Sequence, residues 1–536
     1  MYHYSEVIQQ ERRGDYLGKT VQIVPHATDM IQSWIKDVAK RDVDGTGIEP
    51  DVCLIEVGGT VGDLESAVFL ESLRQFQFSV GKENILFVHI SLVPVLGSDL
   101  EQKTKPTQHS VKELRAIGLI PDIIVCRSAQ LLSESTRNKI SLFCHVTPSH
   151  VFTVHDVSNI YHVPLMLVEQ QIHVMIKEKL NLKTMADTPN LSAWTHMANV
   201  IDARKETVEI ALVGKYTQLT DSYLSVTKAL QHSGTHCNVD VVIRWIEASD
   251  LEEDKSNTDP EKYTNAWKIL KSVQGILVPG GFGVRGIEGK LAACKYAREN
   301  KVPYLGVCLG MQVMVIEYAR NVLKRKKANS AEFDESTSDP VVMFMPEINQ
   351  NIKGGTMRLG SRATHIQVAL SPTECSLAAE VYGINPSSVN EETYNGLHTL
   401  AVNERHRHRY EVNPEYVSEL EENGLVFSGK DDQNVRMEIT ELPRSTHPFF
   451  FGTQYHPEFK SRPIRPSPPF YAFVKVCGKM KDIGVAGELW LSFEDEIKKK
   501  QLEEQQRRAA KRNNSLTSPS RAGANSQEGL SKKSKK

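Results

Sequence analysis

At 536 residues, 40% of them apolar, the chain is long enough for two or more domains with ordinary cores. Its 64 Lys plus Arg against 66 Asp plus Glu give no electrostatic reason to invoke nucleic acid or a membrane surface, so any anionic ligand must be held by local clusters. The 8 cysteines lack C-x-x-C or zinc-type spacing, no run of about 18 apolar residues occurs, and the start MYHYSEVIQQERR is polar; together these favour reduced thiols in a cytoplasmic protein and argue against disulfides, a metal knuckle, secretion or membrane insertion.

Buried-strand runs recur through the first third of the chain, at VCLIEV (52–57), ILFVHI (85–90), DIIVC (122–126), VFTVH (151–155) and VPLML (163–167), with helix-like stretches between several of them. That alternation predicts a parallel α/β sheet. The first run continues into GGTVGDLES, which sets Glu56 at a strand end, a glycine turn behind it and a second acid at Asp63. Carboxylates so placed on nucleotide-binding sheets often hold Mg2+ for phosphoryl transfer. KTKPTQ (103–108) puts two lysines and two threonines in a Pro-containing loop suited to wrapping a polyphosphate, although the same composition also describes a plain exposed loop.

A polar, weakly patterned linker (181–206) separates the first domain (1–180) from a second (207–490). There the rhythm restarts at EIALVGKY and runs through VDVVIRWI, GILVPGG, VPYLGVC and FFFGTQYHPE, the last open to a parallel or an antiparallel neighbour. The remainder (491–536), charged and Ser-rich from Lys498 on, has almost nothing to bury and reads as a disordered tail.

GVCLG, within VPYLGVCLGMQVMVIEYARNV (302–322), places one cysteine between two glycines, after a buried-strand run and before a helical one. The chain must reverse within Gly306–Gly310, leaving Cys308 at the tip of a sharp strand-to-helix turn of the kind that G-x-S-x-G hydrolases use. A cysteine at a helix N-terminus gains thiolate character, and the thiolate is the attacking form; an inert core cysteine is the alternative. A nucleophile needs a base and the base an orienter. In QYHPEF, His456 and Glu458 lie two apart, so in an extended segment both face one way, and Glu458 reaches one ring nitrogen while the other meets the thiol. GILVPGGFGVRG ends another buried strand in glycines, whose amides could meet developing negative charge alongside the amide of Leu309.

PGGFG, GVCLGMQ and YHPEF, in that order, resemble the class I glutamine amidotransferases, a resemblance that implies hydrolysis of the glutamine side-chain amide through a glutamyl thioester. It makes Cys308 the nucleophile, His456 the general base and Glu458 its orienter, with oxyanion amides at Gly281 and Leu309. Its glutamine-holding positions fall on Gly310, Met311, Gln312, Glu332 in ANSAEF and Arg409 in RHRHRYEVN, the last two suited to the charged ends of an amino acid. Taken alone, RHRHR would pass for a solvated charge run.

GDYLGKTVQ, IEVGGTVGDLES, QKTKPTQHSV and NKISLFCHV, followed by those motifs, resemble the CTP synthase family over roughly residues 4–480. That resemblance implies phosphorylation of UTP by ATP and Mg2+ and displacement of the phosphate by ammonia from the glutaminase domain. It places Lys103, Thr104, Lys105, Pro106, Thr107, Gln108 and Lys139 at UTP or inhibitory CTP, Asp63, Leu64 and Glu65 at CTP, Glu56 at Mg2+ and Val157 near the adenine. GTP as an allosteric activator, homotetramers and filaments are implied as well. The expected fold is two doubly wound α/β domains, an amidoligase and an amidotransferase.

The family also opens with a strand, a glycine-rich phosphate loop and a second magnesium carboxylate, which would precede Met1. RGDYLGKT (13–20) misses the phosphate-loop spacing by one position and follows a polar segment rather than a buried strand. The expectation is therefore a P-loop-type N-terminal domain without its first strand and loop. Such a chain would hydrolyse glutamine weakly while forming negligible CTP, or serve as a non-synthesising subunit beside full-length partners.

Overall fold

The computed structural model describes residues 2–42, 47–182, 189–217, 220–345, 357–390 and 399–480. The tail expected at 491–536 lies outside the described residues. By their contacts the described residues form two units, 2–85 with 112–120 and 86–111 with 121–480.

In the first unit the helices Thr28–Ala39 and Ala67–Val80 pack on each other and bury Ile31, Ile35, Leu70 and Leu73. The run 52–57 is not the strand its composition predicts. It has no regular structure, and Leu54 is 96% exposed. A strand is completed by backbone bonds to neighbours, and among the described residues this run pairs with none.

The second unit begins with a three-stranded parallel sheet of β1 (Val88–Leu92), β2 (Ile123–Arg127) and β3 (Val151–Val154), with β2 central and in register Ile90↔Val125 and Val125↔Phe152. KTKPTQ is not a loop throughout: Lys105 opens the helix Lys105–Ala116, with Pro106 in the first turn, where its missing N–H leaves nothing unsatisfied. VPLML is not a strand but most of the helix Val163–Glu169; Pro164 stands at its start, and so short an apolar run has no period to separate the two states. The segment read as a linker carries the helix Ser192–Ala203, which buries Met197 and Ala198.

A nine-stranded sheet follows, built from β4 (Glu206–Gly214), β5 (Val239–Glu247), β6 (Gly275–Val278), β7 (Tyr304–Val307), β8 (Arg358–Gln367), β9 (Thr399–His408), β10 (Val426–Lys430), β11 (Met437–Glu441) and β12 (Phe450–Thr453). Its order is β9-β8-β10-β11-β12-β7-β6-β4-β5. The segment β5-β4-β6-β7-β12 is parallel, and β12 then meets β11 antiparallel, so FFFGT has one neighbour of each kind. Alternation along β4 divides the core. Ala211 and Val213 join the cluster of the helices Ile287–Asn300 and Leu309–Asn321, while Val208, Ile210 and Leu212 face the helices Leu224–His236 and Pro468–Cys477. Both faces are covered, and the carboxyl ends of the parallel strands, where such folds bind ligands, end in the glycine-rich turns.

Candidate active site

The fully buried strand β7 runs into Cys308, which caps the helix Leu309–Asn321 at φ 52° and ψ −101°. The strain at this turn thus sits on the cysteine itself. The flanking glycines serve another purpose than positive φ. A Cβ on Gly306 would lie 2.6 Å from the carbonyl of Gly310, and one on Gly310 would lie 2.1 Å from Val278 O on β6. They let strand and helix approach closely, and Cys308 N donating to Thr453 O at 2.6 Å ties the turn to β12.

β12 continues through Gln454 and Tyr455 to His456, and a 3-10 turn, Pro457–Lys460, rather than the extended segment expected, brings Glu458 Oε1 to 2.8 Å from its Nδ1. Gly280, at the end of β6, fixes the third side of the group. A Cβ there would stand 2.7 Å from His456 Cε1 and 3.4 Å from Cys308 Cβ, so the imidazole and the thiol-bearing carbon share the space over one glycine. Burial alone would favour a neutral ring. The charges of Glu458 and Cys308, with hydrogen bonds to both side chains, hold the His456 pKa well above the usual 6.5. Cys308 is 5% and Glu458 6% exposed, so these forces act with little water between. Among the described residues the amides of Gly281 and Leu309 have no partner, consistent with two donors held for a ligand oxygen.

The remaining amidotransferase positions divide. Gly283 N donates to Glu332 Oε1 at 2.8 Å, which puts Glu332 at this turn, and burial raises its pKa against the pull of Gly283, Lys215 and Arg409. Gln312 is 3% exposed and its Nε2 donates to Tyr410 O at 3.0 Å and to Gln454 Oε1 at 3.2 Å; Met311 packs in the core. Sequence reasoning missed three contributors. Gln454 Nε2 donates to Cys308 Sγ at 3.6 Å, a residue that the i, i+2 spacing to His456 could have flagged. Lys215 donates to Phe282 O at 2.7 Å and to Gly283 O, clamping the PGGFG turn, and Lys290 lies behind that turn. The two lysines stood in VGKY and GIEGK with no local sign of convergence.

RHRHR is not a solvated run. On β9 Arg405 and Arg407 face out while His406 and His408 are buried, and with Glu438 on β11 they bring three possible metal-ligand atoms within 4.8 Å of one another. Hydrogen bonds account for the histidine pair: His408 Nδ1 donates to Tyr410 O at 3.1 Å, which leaves its Nε2 bare to accept from His406 Nδ1 at 3.2 Å. Burial holds both rings neutral, with pKa values drawn down to about 2 and about 3.

In the first unit Glu56, Asp63 and Glu65 line one cavity of about 840 Å³ beside Trp34, Leu54 and Phe69, and Leu64 is 91% exposed. In the second, Thr104 and Thr107 are buried and bonded, to Gln108 at 2.9 Å and Ser91 at 3.0 Å; Lys103 pairs with Glu101, and Lys105 lies 5.7 Å over the Phe143 ring. Pro106 and Lys139 are exposed on their helices, and Val157 is half-buried after β3.

The family description "CTP synthase N-terminus" matches residues 2–182, and "Glutamine amidotransferase class-I" matches residues 218–476. The chain is 51% identical over 491 residues to CTP synthase 1 of Saccharomyces cerevisiae, covering 90% of this chain and 81% of that protein. It is 52% identical over 472 residues to CTP synthase 1 of Homo sapiens, covering 88% and 76%. A solved structure, the Trypanosoma brucei CTPS glutaminase domain with bound acivicin, is similar at 37% identity and a TM-score of 0.43 over 51% of this chain and 94% of that one.

Proposed function

The chain belongs to the CTP synthase family, and from that premise we propose that it aminates UTP to CTP at the expense of ATP, with ammonia released from glutamine by Cys308, His456 and Glu458. The observation that carries the assignment is the convergence at Gly280, where ring and thiol carbon crowd one missing Cβ while Glu458 holds the far nitrogen.

The raised basicity of His456 lets the ring hold the proton that Cys308 gives up as its sulfur attacks. Cys308 Sγ attacks the side-chain carbonyl carbon of glutamine, and the carbonyl oxygen takes the charge between the amides of Gly281 and Leu309. His456 Nε2 then gives its proton to the departing nitrogen, releasing ammonia and leaving a glutamyl thioester. The ring afterwards takes a proton from water that attacks the thioester, and glutamate leaves as the thiol is restored. Glu458 keeps Nδ1 protonated and the ring in place throughout. Glu332 and Arg409, opposite in charge and within electrostatic reach of each other, suit the amino and carboxylate ends of the substrate.

Glu56 offers a hard oxygen donor to the cavity that Asp63 and Glu65 also line, and Mg2+ held there would neutralise triphosphate charge. UTP or CTP beside Asp63–Glu65, Lys103–Gln108 and Lys139, ATP near Val157, GTP as an effector, and homotetramers that stack into filaments are part of the same proposal, on the strength of family membership. Eight free cysteines support a reducing, cytoplasmic setting.

The test is glutamate release and CTP formation with glutamine or ammonia as the nitrogen donor; CTP formed from ammonia separates this reading from the non-synthesising subunit, which would release glutamate alone. Cys308→Ala is expected to lower glutamine hydrolysis at least about 10³-fold while CTP formed from ammonia stays at the parent level. Undiminished hydrolysis in that variant would refute the assignment.

A further inference from the structure

Lys290 stands in the first turn of the helix Ile287–Asn300, behind PGGFG, with 0% of its surface exposed and no hydrogen-bond partner for Nζ among the described residues. Local physics opposes a lysine there. An unpaired buried ammonium is costly, the N-terminal turn is the positive end of a helix, and Lys215 and Arg285 add like charge. Nor can the helix shift to relieve it. Gly289, the preceding residue, packs so closely that a Cβ would fall 1.8 Å from Ala248 O. A position that breaks several local rules at once is where function is to be sought.

Its surroundings supply the reason. Nζ lies 3.9 Å from where a Cβ on Gly281 would stand, and Cys308 and Glu247 are the anionic groups that favour its charged form. Two lysine side chains therefore reach this turn. Lys215 is bonded to the carbonyls of Phe282 and Gly283, and Lys290 remains unspent behind the peptide whose N–H is assigned to the oxyanion.

We propose that Lys290 is a positioning residue of the glutaminase centre: its ammonium, held behind Gly281, sets the peptide that donates to the oxyanion and balances the charge that builds on the substrate oxygen. The proposal rests on the roles assigned above to Cys308 and Gly281. A cation with no hydrogen-bond partner in the resting site gains most when the anion forms, which is stabilisation greatest in the transition state. Burial draws its pKa down to about 7, so the proton is available near neutrality and is held more tightly once negative charge arrives.

The test uses the full chain with Lys290→Met, which keeps the volume and removes the charge, and Lys290→Gln as a second variant should Met misfold. Three readings are compared: kcat and KM for glutamine hydrolysis, the rate at which iodoacetamide alkylates Cys308, and the thermal midpoint. Alkylation displaces iodide with no oxyanion, so it reports the nucleophile alone. The expected result is a kcat lowered about 10²-fold, KM within about threefold, alkylation within about twofold and a thermal midpoint at or above the parent. An unchanged kcat overturns the proposal. So does a parallel fall in alkylation, which would put the effect on the thiol, or a fall in every reading with the midpoint, which would make Lys290 structural. If parent hydrolysis survives Cys308→Ala, the earlier assignment fails; if it depends on Cys308 but not on Lys290, only this inference does.

Discussion

Two apolar runs in this chain end in paired glycines, VCLIEVGG at 52–59 and GILVPGG at 275–281, and they meet different fates. The second contains β6, fully buried between β4 and β7, and a Cβ on Gly280 beyond its end would crowd His456 and the Cys308 carbon, while one on Gly281 would touch Leu309. The first forms no strand, Leu54 is almost wholly exposed, and a Cβ on Gly58 would meet nothing within 4 Å. Composition nominates a strand and a glycine turn, but neighbours on both sides make the strand, and what crowds the turn decides whether a glycine is required.

Dependence on exact geometry should therefore concentrate at the second turn. The largest effect is expected outside the glycines, in the part of the site that they frame. In Glu458→Gln the new amide can donate to Nδ1 and so favour the wrong ring tautomer, and glutamine hydrolysis should fall about 10³-fold with little change in thermal midpoint. A loss under tenfold would mean that His456 is oriented by something else. Next is Gly280→Ala. Its Cβ cannot occupy a point 2.7 Å from His456 Cε1 unless the ring moves, and a displacement of that size should cost about 10²-fold in hydrolysis. Unimpaired turnover would show that the ring has room to yield and that the crowding is not functional.

Lys290 sharpens the contrast through pH. Its folded-state pKa lies near 7 against an ordinary 10.5, so the unfolded chain holds the proton more tightly. The folded state is penalised in full below about 7, and the penalty fades as pH rises toward 10.5. Lysine 215, Arg285, Glu247 and Cys308 face it from the surrounding elements and are present in both proteins. The stability advantage of Lys290→Met over the parent should accordingly be greatest at neutral or lower pH and shrink across that window in denaturant titrations. An advantage that is independent of pH would mean that Lys290 folds with its charge compensated.

The parts of this site that could be read from sequence are those whose partners are sequence neighbours. GVCLG fixes the strand-to-helix turn within five residues, and His456 and Glu458 are two apart. Gly280 against His456, Gln454 against Cys308 and Lys290 behind Gly281 depend on segments about 10 to 180 positions apart meeting at the ends of β6, β7 and β12, and no local period encodes that. RHRHR did carry a signal, the alternation that turns His406 and His408 inward, but five charged or titratable residues in a row mask it. VPLML shows the reverse limit, a run too short to separate strand from helix, which Pro164 and the preceding turn Ile160–His162 resolve toward helix.

The smallest expected effect tests the other turn. Gly58 has room for a methyl group and no positive φ, so Gly58→Ala should restrict the unfolded chain more than the folded one and stabilise by about 0.4–1 kcal/mol. Its neighbour Gly59 sits at φ +88°, where a side chain is strained whatever the space, and Gly59→Ala should destabilise by about 1–2 kcal/mol. Chemical denaturation of the two variants measures both. The pair separates backbone strain from crowding: at 59 the conformation alone makes glycine necessary, at 58 nothing does, and at 280 the imidazole does. A marked loss of stability in Gly58→Ala would mean that this turn is packed as tightly as its counterpart, and the distinction between the two would disappear.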